Sequence, residues 1–140
     1  MIRMRKNFVL ILFFTVCCFA FGYSQTVRNT SNSIIARIES NGTVRNTNNS
    51  MIARIYDNGD IRDGGNRLLG KIESDGTIRD RNNSRLGKVE NNGTVRNPNN
   101  SVLGKVDSNG TIRDRNNNIL GYAKDIPASR AVLFFFFKLF

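Results

Sequence analysis

The side chains in this sequence that carry chemistry recur at fixed intervals. Asp63, Asp80 and Asp114 share one position of a repeat, and Arg28, Arg45, Arg62, Arg79, Arg96 and Arg113 share another. Hydrolysis by paired carboxylates needs two acids in unlike environments facing one bond. Repetition supplies equivalent acids in separate copies and no asymmetric pair. The run Asp57, Asn58, Gly59, Asp60 has the composition of a calcium loop, yet calcium takes about six to eight oxygen ligands, more than one such turn offers. The chain has no histidine, and its two cysteines are Cys17 and Cys18. We therefore expect no catalytic residue, no metal site and no cofactor, and read the chain as a non-enzyme. The arginine row is the chemistry that remains, since a guanidinium recognises carboxylate and phosphate in a forked geometry.

Arg3, Arg5 and Lys6 open the chain, a nearly unbroken apolar run follows from Phe8 to Phe21, and Gly22, Tyr23 and Ser24 lead to Gln25. This is the layout of a secretory signal peptide, and the run is shorter than the ~20 residues that a spanning helix needs. Residues 1–24 are expected to be removed on export to the periplasm, the cell surface or the medium. Both cysteines fall in that segment, and neither Val16 nor Cys17 is the small residue that lipid attachment prefers before the acylated cysteine.

Lys and Arg number 21 against 11 Asp and Glu, a net charge of +10; without Arg3, Arg5 and Lys6 the balance is 18 against 11, or +7. Such an excess favours anionic partners. For an exported chain these are an envelope glycan or a membrane surface, and no nucleic acid is expected.

The positions that carry these charges belong to a seventeen-residue repeat, whose copies begin at Thr26, Thr43, Asp60, Thr77, Thr94 and Thr111 without insertion or deletion. A fixed period of this kind decides the architecture before any local reading does. Each copy opens on a short strand such as Thr43, Val44, Arg45. It passes through turn formers such as Asn48, Asn49, Ser50, and continues in a second strand such as Ile34 to Glu39 or Val102 to Asp107. Asn41-Gly42, Asn58-Gly59, Asp75-Gly76, Asn92-Gly93 and Asn109-Gly110 then mark hairpins.

A two-residue turn would set Ile38 against Arg45. A three-residue loop with glycine in a left-handed bulge sets Ile38 opposite Val44, Ile72 opposite Ile78 and Val106 opposite Ile112, so the apolar pattern selects that loop. One face then holds Ala36, Ile38 and Val44, and the other Ile35, Arg37, Glu39 and Arg45. Glu39, Glu73, Glu90 and Asp107 are expected between two cations, with Tyr56 in the same place in the second hairpin.

A single hairpin is marginal in water, because a few buried aliphatics at about 1.5–3 kcal/mol each do not offset about 1–2 kcal/mol of backbone entropy per residue. The copies must pack together. Ala36, Ala53, Gly70, Gly87, Gly104 and Gly121 leave room for close approach.

The stretch GTIRDRNNSRLGKVENNGTVRNPNNSVLGKVDSNGTIRDRNNNILGYA resembles the five-fold beta-flower proteins, exported bacterial proteins with repeats of the form GTVRNxNNSxLGKIE. The resemblance extends over about residues 25–123. It implies an all-β fold of seventeen-residue β-hairpin repeats in a closed pseudo-five-fold ring. A six-unit ring closed by the chain ends, or an open β-hairpin solenoid, fits the same repeat. Five hairpins can be drawn across the glycine turns, and Thr26–Asn29 is left to pair with Ile119–Ala123.

Residues 124–140 form a tail. Asp125 and Pro127 suit a helix start, and 128–140 reads as an apolar helix or strand holding Phe134, Phe135, Phe136 and Phe137. The expectation is that it packs on the repeats and closes their core. The alternative makes these four aromatics a membrane or partner contact, with homo-oligomers as one outcome. Function is accordingly read as an exported, non-catalytic binding or scaffold module of the bacterial envelope. Its contact row is Arg28, Arg45, Arg62, Arg79, Arg96 and Arg113, offered with neighbouring asparagines to an anionic glycan. The competing reading is a membrane-associated or oligomer-forming structural protein acting through its tail.

Overall fold

The computed structural model describes residues 24–140. The expected signal segment, apart from Ser24, lies outside them, as do Cys17 and Cys18. Short β-branched runs between tight turns give twelve strands among the described residues. They are β1 (Gln25–Asn29), β2 (Ile34–Ile38), β3 (Thr43–Arg45), β4 (Met51–Ile55), β5 (Asp60–Arg62), β6 (Leu68–Ile72), β7 (Thr77–Asp80), β8 (Arg85–Val89), β9 (Thr94–Arg96), β10 (Val102–Val106), β11 (Thr111–Asp114) and β12 (Ile119–Tyr122). One helix follows, α1 (Ala128–Phe135).

Each strand pairs antiparallel with its neighbours in sequence, and β1 returns to β12 with Arg28 opposite Tyr122 and Asn29 opposite Gly121, which closes a barrel. The closed ring of repeats is thus present in its six-unit form. Five hairpins span the glycine turns, and the β12–β1 seam takes the sixth place. Closure leaves no strand edge for another chain to extend.

Each turn along the meander is a three-residue loop whose last residue is left-handed. In one set that residue is glycine, as in Ser40-Asn41-Gly42, where Gly42 has φ +86° and donates its N–H to the Glu39 carbonyl at 2.9 Å. In the other set it is asparagine, as in Thr47-Asn48-Asn49, where Asn49 has φ 63°. Space explains the difference. A Cβ on Gly42 would lie 1.9 Å from the Ile55 carbonyl oxygen of the next copy, whereas Asn49 is exposed.

The glycine loops set the register expected from the apolar pattern. Ile38 faces Val44, Ile72 faces Ile78 and Val106 faces Ile112. With Val27, Ile61 and Val95 these residues line the inside, almost all fully buried. One expectation is corrected. Ile35 was placed on the outer face with Arg37, but a bulge between β1 and β2 breaks the alternation after Val27 opposite Ala36. The extra residue leaves Ile35 half-buried against the core, as it does Ile52, Leu69, Leu86, Leu103 and Leu120 in the later copies.

The tail fills the interior. Helix α1 buries Ala131, Val132 and Leu133 completely and ends at Phe135, short of the 128–140 span expected of a helix. From there, successive side chains meet successive copies in reverse order. Phe135 packs on Gly121, Phe136 on Gly104, Phe137 on Gly87 and Leu139 on Gly70. Phe134 stacks edge-on against Phe140, with ring centroids 4.9 Å apart. The first two copies hold Ala36 and Ala53 at this position, and the four that meet the tail hold glycine.

Candidate functional site

With the inside occupied, chemistry is carried by the outer wall and the turns. The recurrent acids serve the turns. One carboxylate oxygen of Asp63 accepts the N–H groups of Gly65 and Arg67, both at 2.9 Å. Asp80 and Asp114 do the same for their own turns, and Asn29 and Asn46 do so in the first two copies. The backbone of Arg67 holds the Asp63 carboxyl below its ordinary 3.8, the Asn118 side chain does this for Asp114, and the backbone of Thr77 does it for Asp75. A carboxylate that caps N–H groups is held ionised and is poorly placed to act as a general acid. No group of three or more His, Cys, Asp or Glu that could hold a metal is found among the described residues.

The expected contact row is brought onto the outer wall, but its members are engaged. Arg45, Arg79, Arg96 and Arg113 each donate Nε to an acid of the facing strand end, Glu39, Glu73, Glu90 and Asp107, at 2.5–2.9 Å. Each also donates Nη1 to the carbonyl of the left-handed asparagine in its own turn, Asn49, Asn83, Asn100 and Asn117, at 3.0–3.2 Å. Arg28 makes the same turn contact with Asn32 at 2.8 Å. The second hairpin departs from the pattern and compensates for it. Tyr56 replaces the acid and lies under the Arg54 guanidinium, 4.9 Å from ring to charge, while Asp60 replaces threonine and holds Arg62 at 3.0 Å.

Each acid therefore binds one cation, where two were expected to share it. The register then leaves a second row. Arg37 stands opposite Arg45, Arg54 opposite Arg62, Lys71 opposite Arg79, Lys88 opposite Arg96 and Lys105 opposite Arg113. Among the described residues the members of this row form no ion pair apart from Lys88, whose Nζ is 4.0 Å from Asp75. The second row had a signal in the sequence, a basic residue directly after five of the six Ala36-type positions, with Tyr122 after Gly121, but the expectation of an acid between two cations concealed it.

Among several concavities of the surface, one lies between β9, β10 and β11. This groove of about 430 Å³ is lined by the cations Arg96, Lys105, Arg113 and Arg115, by the carboxylates Asp107 and Asp114, and by Thr94, Val102, Gly104 and Asn117. The expected tail contacts Phe134, Phe135, Phe136 and Phe137 are half-buried and packed against the core.

A family model described as 5-fold beta-flower protein matches residues 24–138, which takes in both the ring and the tail to Lys138. No curated protein and no solved structure matches the chain.

Proposed function

We propose that this chain, which belongs to the 5-fold beta-flower protein family, is a non-catalytic binding or scaffold module of the bacterial cell envelope that holds anionic glycans against its outer wall. The observation that carries the reading is the row of cation pairs. Like charges directly opposite on a sheet weaken it, yet five hairpins repeat the arrangement around the ring. Stability alone favours an acid or a neutral residue at one of the two places. A polyanion laid along the wall would relieve the repulsion and satisfy the cations together.

The test must spare the engaged arginines, whose loss removes turn contacts as well as charge. Arg37→Gln, Lys71→Gln and Lys88→Gln combined should leave the fold intact by circular dichroism. The same variant should weaken binding of an acidic envelope polysaccharide several-fold at low salt. Binding that is unchanged in this variant, or equal binding of a neutral polysaccharide by the native chain, would contradict the proposal.

A further inference from the structure

We infer that the groove between β9, β10 and β11 is a subsite for one acidic sugar unit, a hexuronate, on the otherwise repetitive wall. The inference rests on the glycan reading above and names where on the wall a single residue of the polymer is recognised. Lys105 and Arg115 supply the charge. Neither forms an ion pair among the described residues, whereas Arg96 and Arg113 are held by Glu90 and Asp107. Val102 is 41% exposed and offers an apolar face for the ring carbons of a sugar. Asn117 and Thr94 add groups that can hydrogen-bond to hydroxyls. The volume lies in the range of about 300–1,000 Å³ typical of small-ligand sites.

The copies are not equivalent here, and the differences single out this groove. A basic residue at the place of Arg115 recurs only in Arg81, since the other copies have Thr30, Thr47, Gly64 and Pro98. The site equivalent to Lys105 and Arg115 is therefore Lys71 and Arg81. There, however, Asp60 stands opposite Lys71 where Thr94 stands opposite Lys105, so a carboxylate, itself paired with Arg62, occupies the strand position facing that cation and disfavours an acidic sugar. Leu68 matches Val102, but the local charge does not match.

Glucuronate and glucose titrated into the full chain, followed by nuclear magnetic resonance, test the inference. Glucuronate should shift resonances of β9–β11, and glucose should not. Lys105→Gln with Arg115→Gln should lower glucuronate affinity about tenfold, the loss of a charge-assisted bond. Lys71→Gln with Arg81→Gln should lower it less than about twofold. Equal losses in the two double variants, or shifts spread evenly over the wall, would overturn the subsite while acidic polysaccharide still bound, leaving the broader reading intact. Failure of both the polysaccharide and glucuronate to bind would remove both.

Discussion

At the scale of the residue, charge in this protein is used twice, once to hold turns and once to face solvent. The second hairpin shows the division. Asp60 gives Arg62 the carboxylate partner that Glu supplies in the other hairpins, and Tyr56, in the place of that Glu, takes up Arg54 instead. Asp60→Thr alone should cost about 0.5–1 kcal/mol in urea unfolding, and adding Tyr56→Glu should recover part of it. Asp63, Asp75 and Asp114 contribute to the loss of stability in acid. Their carboxyls are held below 3.8 in the fold, so the stability they contribute is fully present above that value. It is lost as pH falls through their folded range. Thermal unfolding measured between neutral pH and pH about 2 should show this decline, and Asp63→Asn with Asp114→Asn should make it shallower, because Asn29, Asn46 and Asn97 cap the same turn without titrating.

At the scale of the element, the unit is a strand pair closed by a three-residue loop, and glycine and asparagine divide the left-handed positions by available space. Gly76→Ala should cost about 1–3 kcal/mol, since a Cβ there meets the Val89 carbonyl oxygen at 2.1 Å. Asn83→Gly, in the open turn, should stay within about 0.5 kcal/mol. Urea midpoints for the two variants check the contrast. The glycine-turn type and strand register were legible in the sequence because Asn-Gly or Asp-Gly marks each hairpin and only the three-residue loop matches aliphatic with aliphatic. The bulge at Ile35 was not legible. It inserts no residue into the repeat and shows only as a shift between paired strands, so a strict alternation of faces placed Ile35 outside.

For the whole molecule, six copies close on their own ends, and the tail supplies the centre that hairpins with three or four aliphatics each lack. Removing residues 134–140 should unfold the ring, read as loss of the cooperative thermal transition. Gly104→Ala should destabilise by about 1–3 kcal/mol, because a Cβ there lies 2.6 Å from the Phe136 ring and 2.1 Å from the Arg113 carbonyl oxygen. Phe136→Leu should restore part of that loss. The sequence showed the repeat, its closure options and the apolar character of the tail. The match of Phe135, Phe136, Phe137 and Leu139 to four glycines was hidden, because it joins residues that only closure brings together. The candidate site was half legible: the cations were plain, but their commitment to turns or to solvent depends on register.

The proposed function requires that the inside of this ring be structural and its outer wall the binding surface. A nuclear magnetic resonance titration of the native chain with an acidic envelope polysaccharide tests it most directly. Shifts are expected at Arg37, Lys71, Lys88, Lys105 and Arg115, with the resonances of Leu133 and Phe135–Phe137 unmoved. Shifts concentrated in the tail, with the wall cations silent, would contradict it.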